Sequence, residues 1–293
     1  MSTSATAVDD RPAVQSGQLR LGDALSVNRL GFGAMRITGP GVWGPPADHD
    51  EAIRVLRRAV ELGVNLIDTA DSYGPNISEE LIREALYPYP EELVLATKAG
   101  LLRTGPDEFH AFGRPDYLRQ QCEMSLRRLG VERIDLFQLH RVDPTVPAAD
   151  QFGVLADLQK EGKIRLVGLS EVCVDTITEA AEIVDIASVQ NRYNLIDRKS
   201  DDVLRYCTER NIAFIPWAPI DAGDLAKPGG AAYEAAERLG ATSAQIALAW
   251  LLQRSSRMLP IPGTSTVAHL EENCAAAPLK LDLKTVEALD EAL

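Results

Sequence analysis

The sequence predicts an α/β chain closed into a barrel of eight parallel strands, a (β/α)8 or TIM barrel, entered through an N-terminal β-hairpin. Three observations predict it. Short apolar runs alternate with stretches of helical spacing eight times within about 260 residues. The strand runs are apolar at successive positions, as expected when both faces are buried. No linker or shift of composition divides the alternation, which favours a closed barrel over a doubly wound sheet.

The elements follow in order. Residues 19–27 read as the hairpin, with Gly22-Asp23 as its turn. Strands are expected over 30–35, 65–70, 92–98, 134–140, 164–170, 187–191, 212–217 and 259–263. The helices between and after them are expected over 48–62, 78–86, 115–129, 150–161, 174–183, 201–210, 243–254 and 267–276. Gly63 and Gly130 follow helical stretches, where a left-handed residue costs least as glycine. Three segments break the rhythm: 39–46 with Trp43, 99–114 with His110 and Phe112, and 220–232. All three follow strands, so they are expected as loops on the functional face. Residues 1–17 are small and polar at first and read as a disordered tail, leaving 18–293 as one domain.

Bulk properties exclude several classes. With 30 basic and 43 acidic residues the net charge is −13, which disfavours nucleic acid and anionic membrane as partners. It leaves room for an anionic cofactor, which needs only a local basic group or a helix N-terminus. Cys122, Cys173, Cys207 and Cys274 form no CxxC pair, so free thiols in a reducing compartment are expected. No apolar run approaches the ~20 residues of a membrane span. A cytoplasmic monomer acting on a small molecule is the resulting expectation. His49, His110 and His269 show no paired metal-ligand spacing, so no metal site is expected.

Four reactive side chains fall at or just beyond strand ends: Asp68, Tyr73, Lys98 and His140. A parallel barrel delivers all its strand ends to one face. A free phenol, with a pKa of about 10, is a weak acid–base catalyst near neutrality. A neighbouring ammonium favours the phenolate, so Lys98 is expected to lower the pKa of Tyr73. Asp68 is expected to hold Lys98 charged, and His140 to hydrogen-bond and orient a substrate oxygen. The set suits protonation of an oxygen that gains charge as a carbonyl is reduced.

Gly31-Phe32-Gly33-Ala34-Met35, the run Asn65 to Gly74, Thr97-Lys98, Gln138-Leu139-His140 and Ile261-Pro262-Gly263-Thr264-Ser265 together resemble the aldo-keto reductases. The resemblance covers about residues 18 to 290. The run from Leu30 to Pro46 is similar to a bacterial branch that includes pyridoxal reductases. The resemblance implies the same four roles for Asp68, Tyr73, Lys98 and His140, with NADPH/NADP+ as cofactor. It implies that Gly33, Ala34 and Met35 lie against the cofactor, the glycines letting the backbone approach the nicotinamide. Ser170 and Gln190 would bind the carboxamide, and Trp217 would stack on the ring. Gly263, Thr264, Ser265 and Asn273 would hold the adenosine and its phosphate, helped by the last helix N-terminus.

Two positions depart from the family pattern. Glu171 stands where Asn is usual, and a carboxylate cannot donate to the carboxamide oxygen. His269 takes the place of an arginine near the 2′-phosphate, which predicts a reduced margin of NADPH over NADH. Trp43, His110 and Phe112 are expected to line the substrate pocket, suggesting an aromatic or heteroaromatic aldehyde such as pyridoxal, with ketones, quinones and sugars also open. The alternative is a redox-sensing subunit that binds the cofactor without turnover.

Overall fold

The computed structural model describes residues 10–22 and 25–292. Pro12–Ser16 form a 3-10 turn with Ala13 buried, so this part of the expected tail is ordered against the barrel. The expectation for residues 1–9, and Asp23 of the hairpin turn, lie outside the described residues.

The hairpin is β1 (Gln18–Leu21) and β2 (Leu25–Asn28), paired antiparallel. The barrel strands then begin with β3 (Phe32–Gly33), β4 (Leu66–Asp68) and β5 (Val94–Ala99). Next comes an unexpected hairpin, β6 (Leu101–Gly105) with β7 (Glu108–Ala111). The barrel resumes with β8 (Ile134–Leu139), β9 (Ile164–Ser170), β10 (Ile186–Arg192) and β11 (Ala213–Trp217). Helices α1 (His49–Glu61), α2 (Ile77–Leu86), α3 (Pro115–Leu129), α4 (Ala148–Lys160), α5 (Val174–Ala181) and α6 (Asp201–Glu209) separate the strands. After β11 come α7 (Ala231–Leu239), α8 (Ser243–Arg254), α9 (Val267–Cys274) and α10 (Leu283–Glu291). The helix α7 falls where the sequence shows only an irregular segment and its sequel.

The parallel sheet has the order β11-β10-β9-β8-β5-β4-β3. The expected eighth strand is an extended segment with no regular ladder. Its sequence, Leu259-Pro260-Ile261-Pro262, explains why: each proline lacks the N–H that a ladder needs. Its carbonyls still accept, Pro260 from Gly31 N at 3.0 Å and Pro262 from Gly33 N at 3.4 Å. On the other side Leu259 N donates to Phe214 O at 2.9 Å, and Phe214 N to Arg257 O at 2.9 Å. The segment therefore joins β11 to β3 and closes the barrel.

Strand alternation sorts the barrel interior into layers. Leu66, Val94, Ala96, Leu136, Ala213, Ile215, Leu259 and Ile261 form an apolar core, plugged at the N-terminal end by Leu19, Leu21 and Val27 of the hairpin. Two residues further along the same strands stand Asp68, Lys98, Gln138, Trp217 and Gly263. The inward face thus changes from hydrocarbon to polar groups at the C-terminal mouth. A second apolar layer lies between strands and helices, with Phe137, Val167, Val189 and Phe214 facing outward.

Candidate active site

Lys98 is fully buried, and its ammonium spends its three donors on three oxygens. Asp68 Oδ2 is at 2.6 Å, Thr69 O at 2.8 Å and Tyr73 Oη at 3.4 Å. Burial pulls the lysine pKa down, but Asp68 and Tyr73 outweigh it and hold the pKa above its ordinary value. Asp68 Oδ1 accepts from Gln138 Nε2 at 2.9 Å and Gln190 Nε2 at 3.0 Å, so the carboxylate is fixed from both sides.

Tyr73 sits in the turn between β4 and α2. Segment 42–44 clamps that turn: Gly74 N donates to Val42 O at 3.2 Å, and Gly44 N to Gly74 O at 2.7 Å. The phenol pKa does not fall as the sequence suggests. Burial raises it above 10, and the nearby Lys98 offsets only part of that rise. Tyr73 therefore rests protonated.

His140 follows β8 and meets Tyr73 edge-on, with ring centroids 5.8 Å apart. Burial, then Lys98, Arg141 and Arg103, hold its pKa well below the ordinary value, so the ring is neutral. Ser72 Oγ lies 3.4 Å from Nδ1. Assigning Nδ1 as acceptor there leaves Nε2–H free to donate.

Asp68, Tyr73 and His140 line one cavity of about 680 Å³, with Lys98 directly behind them. Gly33, Met35, Ser170, Gln190, Trp217 and Gly263, all expected at the cofactor, share its walls. Ala34 is buried behind them. Thr264 and Asn273 are buried, and Ser265 and His269 exposed, around the start of α9 beyond the cavity walls. Glu171 has turned away: at φ 56 its Oε1 accepts from Trp217 Nε1 at 2.6 Å and from Arg192 N at 2.7 Å. It orients the indole instead of facing an amide.

The expected substrate-pocket residues need correction, and Gly33 has a further role. Gly33 serves barrel closure: a Cβ there would stand 2.6 Å from Ile261 O, and one on Gly263 would stand 2.5 Å from Gly33 O. The close approach of Gly33 is to the closing segment, and the same residue lines the cavity. Trp43, His110 and Phe112 do not line the cavity. Trp43 is 37% exposed and lies under the Arg103 guanidinium. His110 Nε2 is 3.0 Å from Thr104 Oγ1, and Phe112 packs edge-on against Tyr117. Leu101, Phe109 and Ala111 line the cavity instead, because alternation on β7 turns 109 and 111 inward and 110 outward.

Sequence reasoning missed Gln138, Arg141, Arg36 and Arg103. Gln138 was legible two residues before His140 on one strand. Arg36 is exposed, lines the cavity beside Gly263 and has no anionic partner among the described residues. The first turn of α9 is less free for an anion than expected, since Val267 N already donates to Glu51 Oε1 at 2.8 Å. No group of three or more metal-ligating side chains occurs among the described residues, and no helix there is long and apolar enough to cross a membrane.

A family model described as the aldo/keto reductase family matches residues 29–293. This chain belongs to that family. Among similar aldo/keto reductases and oxidoreductases, an uncharacterized oxidoreductase of Schizosaccharomyces pombe is 54% identical over 290 residues, covering 99% of this chain and 93% of the relative. The pyridoxine 4-dehydrogenase of Escherichia coli is 43% identical over 271 residues, covering 90% and 94%. The solved thermostable aldo-keto reductase Tm1743 superposes with a TM-score of 0.83 at 28% identity, covering 94% of this chain and 99% of that one. An aldo/keto reductase from Klebsiella pneumoniae, solved with NADP and acetate, gives 0.78 at 25% identity, covering 93% and 94%. The chain is thus an oxidoreductase with the (β/α)8 fold of its family.

Proposed function

We propose that this aldo/keto reductase uses NADPH to reduce a carbonyl to an alcohol, with Tyr73 as proton donor and an aromatic or heteroaromatic aldehyde such as pyridoxal as substrate. The observation that carries the reading is the contact chain Asp68–Lys98–Tyr73, opening with His140 on one cavity.

The polar groups present fit a nicotinamide. Gln190 Oε1 has no protein partner among the described residues, although the residue is buried in the cavity wall. The Ser170 hydroxyl accepts from Arg141 at 3.0 Å and keeps its own proton to donate. An acceptor and a donor side by side match the two ends of a primary carboxamide. Trp217 supplies a flat wall held by Glu171. Arg36 and the threonine- and serine-rich entry to α9 suit phosphate. When bound, NADPH supplies the hydride.

The chain's own residues do the rest. His140 Nε2–H holds the substrate oxygen, and Tyr73 Oη–H points at the same oxygen as charge grows on it. Lys98 favours the phenolate left behind, and Asp68 keeps Lys98 charged and in place. The apolar walls, Leu101, Phe109 and Ile220, suit a ring. The E. coli relative is named for pyridoxine oxidation, the reverse direction on a substrate of this class. Turnover of pyridoxal and 4-nitrobenzaldehyde, followed at the absorbance of NADPH, tests the reading. NADPH binding with no turnover of any aldehyde would overturn it in favour of a cofactor-sensing subunit.

A further inference from the structure

Arg141, directly after His140, lines the cavity and is half-buried there. One of its nitrogens, Nη1, donates to His140 O at 2.6 Å and to Ser170 Oγ at 3.0 Å. Its Nε and Nη2 donors have no protein partner among the described residues. No carboxylate among the described residues pairs with it. Glu171 acts on it only at longer range, its Oε1 being held by Trp217 and Arg192 N. Asp68 is engaged by Lys98, Gln138 and Gln190, and Asp221 by Arg192 at 3.2 Å. A partly desolvated cation without a counter-charge is unfavourable in the empty protein, and such groups concentrate at binding sites.

The barrel's strand order separates this cation from the groups suited to the cofactor phosphates. Arg36 and the entry to α9 adjoin β3 and the closing segment 257–262. Counting round the barrel from that segment through β3, β4 and β5, or through β11, β10 and β9, β8 is the fourth strand either way. Arg141 therefore stands diametrically across the mouth, beside His140 and in the cavity that Leu101, Phe109 and Ala111 also line.

We propose that Arg141 anchors an anionic group on the carbonyl substrate, a carboxylate or a phenolate, beside the oxygen held by His140. The inference rests on the carbonyl-reductase reading of this site and narrows its substrate class to acids. Pyridoxal belongs to that class through its ring oxygen, a phenolate next to the aldehyde at neutral pH.

The test measures kcat/KM with NADPH for 2-, 3- and 4-formylbenzoate and their methyl esters, in wild type, Arg141→Met and Arg141→Lys. A charge-assisted contact predicts that the acid-to-ester ratio falls about 10- to 100-fold in Arg141→Met for at least one isomer. Arg141→Lys should recover part of the ratio. NADPH quenching of tryptophan fluorescence checks that both variants fold and bind cofactor. A ratio equal in wild type and Arg141→Met for all three isomers, with pyridoxal turnover also unchanged, overturns the proposal. So does an equal fall for acid and ester, which would mean that Arg141 only positions His140 through its carbonyl. Loss confined to pyridoxal run in parallel identifies the anchored group as a phenolate, and loss on a formylbenzoate as a carboxylate. If wild type binds NADPH but reduces neither acids, esters nor pyridoxal, the carbonyl-reductase reading itself fails and this inference with it.

Discussion

As the proposed proton donor, Tyr73 has to stay protonated at rest and yet release its proton as the alkoxide forms. The two demands are met by different neighbours. Burial keeps the phenol neutral, while the Lys98 ammonium at 3.4 Å lowers the cost of the phenolate. Tyr73→Phe removes the proton and keeps the shape of the wall. Its kcat is expected to fall by about 10²–10⁴-fold with NADPH affinity little changed, as measured by single-turnover kinetics and fluorescence titration. A variant retaining near-wild-type kcat would remove the assignment. His140 offers a second expectation, in stability. Its folded pKa lies well below the unfolded value near 6.5, so below that value the unfolded chain binds a proton that the folded chain refuses. Stability attributable to this residue is complete above about pH 7 and is lost as pH falls from there toward the depressed folded pKa. The slope within that window approaches about 1.4 kcal/mol per pH unit. His140→Gln should flatten the fall of Tm between pH 7.5 and 5; parallel curves for the two proteins would refute the sign and the cause.

At the scale of elements, the hairpin β6–β7 is tied to the site by one side chain. Arg103 donates to Gly41 O, Val42 O, Ser72 O, Gly105 O and Glu108 O, and its guanidinium lies 3.9 Å from the Phe109 ring centre. It links the hairpin to the loop that clamps the Tyr73 turn. Arg103→Met should raise the aldehyde KM more than it lowers kcat, and should open residues 101–111 to limited proteolysis. Unchanged protease resistance would show that the hairpin holds itself. Helix α9 carries another expectation. Glu51 places a carboxylate on its first free N–H, near the groups proposed for the cofactor phosphate. Glu51→Gln keeps the hydrogen bond and removes the charge, so the NADPH-to-NADH ratio of kcat/KM should rise about 2- to 5-fold; an unchanged ratio would place the phosphate elsewhere. These elements also mark where the sequence was legible. The reactive residues on β4, β5 and β8 stood out because continuous apolar runs lead up to them. The hairpin is legible in the sequence only as a loop, although Gly105-Pro106-Asp107 is a turn signal, because its strands bury little and carry no apolar run. That one omission displaced the expected pocket lining, since only a strand's alternation distinguishes Phe109 from His110.

The whole molecule depends on how the barrel is closed. Seven strands pair regularly, and the eighth position is filled by a segment whose two prolines leave it only carbonyls to offer toward β3. Sequence alone showed an apolar run there and therefore a strand; the missing N–H groups are why no ladder forms. The same closure brings β3 so near that Gly33 and Gly263 sit against backbone oxygens, and it sets Arg36 on the rim opposite Arg141. In a chain of net charge −13, these two guanidiniums, without carboxylate partners among the described residues, are kept at one cavity. Closure can be tested apart from chemistry. An alanine at Gly33 would press its Cβ to 2.6 Å from Ile261 O, a backbone atom that cannot rotate aside. Either β3 moves off the segment, weakening the bonds from Gly31 and Gly33, or the segment shifts and carries Gly263 with it. Gly33→Ala is expected to cost about 1–3 kcal/mol or more, at about 2–4 °C of Tm per kcal/mol. Gly153 in α4 is the matched control, because a Cβ there meets nothing within 4 Å and the residue is helical. Gly153→Ala should raise stability by up to about 1 kcal/mol. Calorimetry on both variants checks the pair. If Gly33→Ala melts no lower than Gly153→Ala, the strands have room to separate, and the barrel is not held shut by the contact described here.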